Sequence, residues 1–596
     1  MFKSNPYLSL RENYQTGYQF NASATVAEAI YRKGKGLEPG TRYISMPVGC
    51  GKTTGAIWGI TRFVKENPGK KVCFLTPYVQ GVKDQFKKLK AKLGKKVVGC
   101  FYGGASGDKS EQLEKDVFVC THQFGSYNLA KLQDRDLVVV DEAAYGSDDV
   151  QITSGSIYNA CDWARQEGIL EKEFRAVFLF LDGIVRQGRT GNGFLPIDCS
   201  SVRPELEAIS AYNFSTEVDP FSDKAGIGDL QNFCIAMLDG KAFAAYRDNG
   251  EVTFVSGALG IPSVEKAVIL TATGGMTYGA VGSFNEIQLV KDSFKTPKYN
   301  QLTLVRLSDP EITGGYKTWK GQKTKESVEA YVSWVLEQVT EDEIYFCVPK
   351  SVFDRCLREF FEFATNDKVD LPATVTKNGK TIHLSHHHVG IGSNNYKNCK
   401  AVVYLWDSHI PKLASVRKYH VLSGEDVTTG SLKDANNGDL RGAFAKVRDA
   451  SLVENVIQQI GRGQIRQIDE HRLAGEMKAY VMVEPKTFSD LLLQMKGCKV
   501  VDCEGFGKLR LPTGRLQKVF EYLWQNTGRS WTGGEVKSAT STNVNLIKDD
   551  LEDRTEELKS IGYRFEKGGR GRGNAAKFTW IGISEDGDYT KINKAA

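Results

Sequence analysis

A chain of 596 residues is too long for one hydrophobic core and predicts several domains. Its 41% hydrophobic and 25% charged residues are ordinary for a globular protein, and runs such as AVFLFL and LVVV are far too short to span a bilayer. The opening MFKSNPYLSLRENYQ lacks the apolar core of a signal peptide, so a cytoplasmic, reducing setting is expected, and a net charge of +6 leaves the nature of any partner to where the charge sits.

Strand-like runs alternate with helical patterns through the first half: RYISMP, KVCFLTP, DVFVCT, DLVVVDEA and AVILTAT. Each is a near-continuous apolar run of the kind that fills a parallel sheet buried on both faces. A second set, EIYFCVP, TIHLSHH, AVVYLWD and KAYVMVEP, predicts a second α/β domain, with the joint in the polar stretch SDPEITGGYKTWKGQKTKES. Between DEAAYG and AVILTATG lies too much chain for one connection. Its helical piece IYNACDWARQEGILEKEF, Gly-rich loop RQGRTGNG and hairpin-like KAFAAYRDNGEVTFVSG predict an inserted subdomain. The 12 cysteines are scattered singly without a CxxC pair, which favours reduced core thiols over disulfides or a zinc ribbon.

MPVGCGKTTG follows a strand and precedes a helical pattern. Gly49 and Gly51 let backbone N–H groups line an anion-binding loop, Lys52 can reach the β- and γ-phosphates, and the Thr53 hydroxyl can hold Mg²⁺, with Thr54 beside it. The strict pattern wants glycine where Met46 stands. An apolar strand then ends in Asp141-Glu142, which a doubly wound sheet would set beside that loop. Asp141 would hold Mg²⁺ and Glu142 would orient the attacking water.

In order, MPVGCGKTT, FLTPYVQGVKDQ, CFYGG, VCTHQF, DEAA, TATG, YFCVPKS, GIGSNNYKNCKAVVYL and QQIGRGQIR resemble the motifs of superfamily 2 helicases and translocases of the DExH type, across most of residues 1–485. The resemblance implies two RecA-like domains with ATP and Mg²⁺ between them. It places Gln458 and Arg462 at the γ-phosphate, Gly392 and Asn394 at the same cleft, and Thr271 and Thr273 in coupling hydrolysis to movement. The family's second arginine often falls three residues after the first; here Ile465 holds that place and Arg466 comes one later. One residue turns a helix by about 100°, so either the backbone bulges or Arg462 alone is the finger. LRENYQ resembles the adenine-reading segment, with Gln15 as reader. Thr76, Gly103 and Thr121 match positions that grip a nucleic-acid backbone, which suits a motor that steps along any sequence. Motifs that depart from common forms suggest a phage or mobile element.

In LSHHHVGIG, adjacent histidines on a strand point to opposite faces, which suits one metal poorly, and no cysteine or acid stands nearby in sequence. From Leu511 onward, apolar spacing at Leu516, Val519, Phe520 and Leu523, then GEVKSATSTN, VNLIKDDLEDRTEELKSIG and YRFEKGGRGRGNAAKFTWIG, resemble a winged helix-turn-helix. Its long helix is acidic, at Asp549, Asp550, Glu552, Asp553, Glu556 and Glu557, and would be repelled by phosphate. Lys567, Arg570 and Arg572 on the wing would make the DNA contact.

The expected architecture is therefore α/β: a RecA-like domain over residues 1–300 containing a 150–262 insertion, a second over 301–505, and a winged helix over 511–583. The expected function is an ATP-dependent DNA helicase acting on single-stranded or forked DNA, away from membranes, with a protein partner docking on the winged helix as a further role. A duplex translocase, an RNA helicase and an ATP-controlled DNA-binding switch are the alternatives.

Overall fold

The computed structural model describes residues 7, 16–102, 109–127, 132, 134–141, 151–187, 193–214, 226–247, 251–257, 264–272, 276, 281, 287–289, 296–308, 325–364, 371–387, 396–436, 440–504, 515–553, 555–560, 562–568 and 576–581. It divides into two compact units. The larger comprises residues 1–306, 314–330 and 336–501, and the smaller residues 307–313, 331–335 and 502–596.

The larger unit opens with helix α1 (Gly17–Gly34), β1 (Thr41–Ser45), α2 (Lys52–Glu66), β2 (Val72–Thr76), α3 (Val79–Leu93), β3 (Val98–Phe101), β4 (Val117–Thr121) and β5 (Leu137–Asp141). After the insertion, β10 (Ala267–Thr271) and β11 (Ile287–Leu289) complete a parallel sheet of order β11-β1-β10-β5-β2-β4-β3. Every residue of β2, β5 and β10 is buried, which is why these strands read as unbroken apolar runs. The sequence pattern did not show that α1 is a core element: Phe20, Ala22, Ala24, Val26, Ala27 and Ile30 are all buried.

The insertion forms an antiparallel sheet, β6 (Gln151–Ile152), β7 (Gly193–Pro196), β8 (Ala242–Tyr246) and β9 (Val252–Ser256), in the order β6-β9-β8-β7. The expected hairpin is β8–β9. The expected helical piece is two helices, Ser154–Glu167 and Glu171–Arg186, because Gly168 and Leu170 both take left-handed backbone. One face of the sheet closes over these helices, Arg203–Ala211 and Ile227–Leu238. The other face packs Phe194, Phe243, Ala245 and Val255 against Val416, Val427, Leu432, Ala435, Leu440 and Phe444.

A second sheet holds β12 (Leu302–Ser308), β13 (Glu343–Val348), β14 (Ala373–Lys377), β15 (Lys380–His386), β16 (Ala401–Leu405) and β17 (Met477–Met482), in the order β14-β15-β13-β16-β17-β12. Only β14 runs antiparallel among these six, in a hairpin with β15. The long helix Gly442–Ile460 packs Val453, Val456 and Ile460 onto this sheet's core.

In the smaller unit a helix (Arg515–Gln525), a short strand (Trp531–Thr532) and a second helix (Gly533–Thr540) are followed by helical segments Lys548–Asp553 and Thr555–Ser560. A strand pair, Tyr563–Glu566 and Lys577–Trp580, closes it, with Trp531–Thr532 hydrogen-bonded to the last strand. Leu516, Val519, Phe520 and Leu523 are all buried in its core with Trp531, Leu551, Tyr563 and Phe578. The Thr532 side chain and Glu535 form a reciprocal cap on the second helix.

Candidate nucleotide and nucleic-acid site

The loop after β1 is held from three sides. Met46 N donates to the Thr271 carbonyl at 3.0 Å, fixing the loop's start to the end of β10. From α1, Gln19 Nε2 donates to the Gly49 carbonyl at 3.0 Å and the Ser23 hydroxyl to the Gly51 carbonyl at 3.0 Å. Carbonyls drawn outward turn the intervening N–H groups inward, toward the N-terminus of α2, where the helix dipole favours an anion. Gly49 and Gly51 have φ of 84° and 83°, the left-handed region that other residues resist. Each is also hemmed in: a Cβ on Gly51 would lie 2.3 Å from Ser23 Oγ.

Lys52 is buried, its Nζ donating to the carbonyls of Met46 (2.7 Å) and Pro47 (3.0 Å). The Thr53 hydroxyl donates to Asp141 Oδ2 at 2.9 Å, so the sheet unites a residue from the loop with one 88 positions later. Thr54 lies half-buried on the same first turn. Behind Asp141, His122 Nε2 meets the Asp141 carbonyl at 3.0 Å, and burial pulls the imidazole down to about 4. His122 follows Thr121 in VCTHQF, and only its burial shows what it does. Gln19 is the other residue missed from sequence, four positions after Gln15 in the chain.

The arginine segment meets the same loop. Helix Gly442–Ile460 ends, Gly463 takes an extended backbone (φ −75°, ψ −165°), and Gln464–Arg466 form a turn of 3-10 helix. Both arginines thus lie past the helix end, where a helical rotation no longer relates them. A Cβ on Gly461 would lie 2.9 Å from the Val48 side chain, and one on Gly49 would lie 2.5 Å from the Arg466 carbonyl oxygen. Residues 461–466 thus pack directly on the phosphate loop, and Ile468 continues into the first sheet's core beside Ile44, Met46 and Cys50. The two arginines part company. Arg466, half-buried, lies with its backbone at Gly49, whereas Arg462 is 1% exposed and its charge acts on the buried Tyr345 hydroxyl and Cys347 thiol.

Gln458 is half-buried at the end of its helix, while its neighbour Gln459 is fully buried, accepting from the Tyr345 hydroxyl at 2.7 Å and donating to the His387 carbonyl at 2.8 Å. His387 itself is stacked on Tyr404 and bonded to Ser408 and the Leu405 carbonyl, so this member of the histidine run is a core residue.

Thr76 and Thr121 end β2 and β4 on the edge of the sheet that also carries Asp141. Thr76 is buried and its hydroxyl donates to the Tyr78 carbonyl; the Thr121 oxygen accepts from Phe124 N. Each hydroxyl thus shapes its own turn. Lys567 is in an exposed ion pair with Glu552 at 2.7 Å, a contact that water and salt weaken readily. Thr271 is buried, and its carbonyl serves the loop as described. Gln15, Gly103, Glu142, Thr273, Gly392, Asn394, Arg570 and Arg572 lie outside the described residues.

Among the described residues, no helix is long and apolar enough to cross a membrane. The chain is similar in structure to Xpd4 from S. tokodaii, at 13% identity over 81% of this chain and 100% of the other, with a TM-score of 0.43. It is likewise similar to apo XPD (12%, 81% and 100%, TM-score 0.40) and to S. cerevisiae Dbp5 bound to RNA and ADP BeF3 (11%, 81% and 93%, TM-score 0.38). No curated protein matches the sequence. Residues 23–166 match the DEAD/DEAH box helicase family. That span begins in α1 at the very serine that holds Gly51 and takes in both Thr53 and Asp141, so the part of the chain that is similar to the DEAD/DEAH box helicases is the part that builds this site.

Proposed function

We propose that the chain is an ATP-dependent DNA helicase in which Arg466 is the arginine that neutralises charge at the γ-phosphate. The observation that carries this reading is the packing of residues 461–466 on Val48 and Gly49. Phosphoryl transfer asks the protein mainly to position groups and offset developing negative charge. The approach of the Arg466 backbone to Gly49 supports that role for its side chain. Arg462, buried beside Tyr345 and Cys347, instead anchors the segment from beneath.

The paired Thr53 hydroxyl and Asp141 carboxylate are hard oxygen donors of the kind Mg²⁺ takes, so these two residues would hold it. The ion would supply charge neutralisation at the phosphates. Lys52 would exchange the Met46 and Pro47 carbonyls for phosphate oxygens, and Glu142 would orient the water. DNA is favoured over RNA by the smaller unit, whose helix, strand, helices and strand pair follow the order of a winged helix. Its contact would be made by the wing around Lys567, since the preceding helical segments are acidic in sequence.

The test is ATP turnover with single-stranded DNA, followed by displacement of DNA and RNA strands from 3′- and 5′-tailed duplexes. Lys52→Ala should abolish turnover. Arg466→Ala should lower kcat by about 10²–10³-fold while the protein stays folded. If Arg466→Ala turns over within about twofold of the parent while a folded Arg462→Ala does not, Arg462 is the finger. Displacement of RNA alone would reassign the substrate.

A further inference from the structure

Around the start of β13 in the second sheet, three side chains of different chemistry converge. Glu343 opens β13, His383 lies on β15, and Cys399 ends the turn that leads into β16. The strand register places His383 beside Tyr345, two residues along from Glu343, so both face the same side of the sheet. Tyr396 lies on that face too, stacked on Tyr345 at 4.8 Å and packed on the His383 ring at 5.2 Å, and it brings the turn with it. One ligand atom from each of Glu343, His383 and Cys399 lies within 4.8 Å of the others. The ligand set draws on a histidine before the run at 386–388, with its partners 40 residues before it and 16 after, which no local spacing could reveal.

We infer that Glu343, His383 and Cys399 form a binding site for a borderline divalent metal ion of the Zn²⁺ class. Carboxylate oxygen, imidazole nitrogen and thiolate sulfur are the three donor types that Zn²⁺ accepts, and three protein ligands leave one position for water. The imidazole is already oriented for the purpose. Its Nδ1 meets Thr374 Oγ1 at 2.9 Å on the antiparallel β14, while Nε2 faces Glu343 Oε1 at 3.0 Å. A partner on one ring nitrogen fixes the direction of the other, as outer hydrogen bonds do for metal-bound histidines. The thiol is buried, the imidazole partly covered and the carboxylate exposed, so an ion can enter from solvent on the glutamate side.

The site also has a structural address. The Cys399 carbonyl accepts from Gln464 N at 3.0 Å, and Gln467 Nε2 reaches the Lys397 carbonyl and Asn398 Oδ1 at 2.8 and 3.1 Å. The turn that carries the thiol therefore supports the arginine segment, and a bound ion would stiffen that segment from below.

The test uses the full-length protein, stripped with a chelator and titrated with Co²⁺ as a spectroscopic stand-in for Zn²⁺. The expected result is one equivalent bound with a thiolate-to-cobalt charge-transfer band, displaced by Zn²⁺. Cys399→Ala should remove the band, and His383→Ala and Glu343→Gln should each weaken binding at least tenfold. These last two change a partly covered and an exposed side chain, so they carry the test should Cys399→Ala fail to fold. Co²⁺ bound at Thr53 and Asp141 would lack the thiolate band. A folded parent that shows no such band, or a band that survives His383→Ala at full affinity, overturns the assignment and leaves a hydrogen-bonded His383–Glu343 pair beside a buried thiol.

Discussion

His122 shows how a single side chain can set the pH response of the nucleotide site. Its ring lies behind Asp141, and desolvation lowers its pKa from 6.5 to about 4. Since the native value lies below the unfolded one, the unfolded chain takes up a proton over that window while the native chain refuses it. Stability is present above pH 6.5 and is lost as pH falls toward 4, by up to about 1.4 kcal/mol per pH unit. His122→Asn should therefore flatten the fall of the urea midpoint between pH 6.5 and 4; equal slopes in the two proteins would locate the acid sensitivity elsewhere. At this scale the sequence was informative about residue types everywhere and about direction only where an element fixes it. Lys52, Thr53 and Asp141 were legible because a loop, a helix start and a strand end fix where they point. Arg462 and Arg466 were not, because they lie past the helix end on a segment that needs glycine between them: a Cβ on Gly463 would lie 2.4 Å from Met477 Sδ and 2.8 Å from Val402 Cγ2. That requirement arises from packing across the second sheet, which spacing alone does not encode.

Among elements, the pairing of α1 with α2 does most to set the loop's position. Gly51, Gly55 and Gly59 recur every four residues and so share one face. On Gly55 a Cβ would lie 2.5 Å from the Ser23 carbonyl oxygen, and on Gly59 2.7 Å from that of Ala27. The backbones thus approach too closely for any side chain, and this closeness lets Ser23 and Gln19 reach the loop carbonyls. Gly55→Ala should lower stability by about 1–3 kcal/mol through overpacking, despite the gain in helix propensity. Gly183→Ala is the contrasting case: this exposed helical glycine has nothing within 4 Å of its would-be Cβ, and the change should stabilise by up to about 1 kcal/mol. Thermal melts of both variants give the comparison. The strands were readable because buried parallel strands are unbroken apolar runs. The burial of α1 was hidden, since small residues such as Ala22, Ser23, Ala24 and Ala27 do not announce a core face.

Across the larger unit, the insertion is joined to the second sheet's helices by a shared apolar cluster. Asn436 completes the joint, its side chain accepting from Phe194 N at 2.6 Å and donating to the Phe194 carbonyl at 2.8 Å, across 242 residues of sequence. Removing it as Asn436→Ala leaves two backbone groups of β7 short of a partner, at about 1–3 kcal/mol. The expected readout is faster hydrogen exchange at the Phe194 amide, with exchange in β2 and β5 unchanged. An insertion was evident from chain length alone, but its second face was not, because a contact so distant in sequence leaves no periodic trace.

Ile468 is 2% exposed and stands in the first sheet's apolar cluster, although its chain segment belongs with the second sheet. Any separation of the arginine segment from the phosphate loop must first draw this side chain into water, at about 1.5–3 kcal/mol. That is a ten- to hundredfold bias toward the engaged arrangement. Ile468 thus acts as a detent: it holds the arginine segment against the loop after β1, and any release of that segment must overcome it.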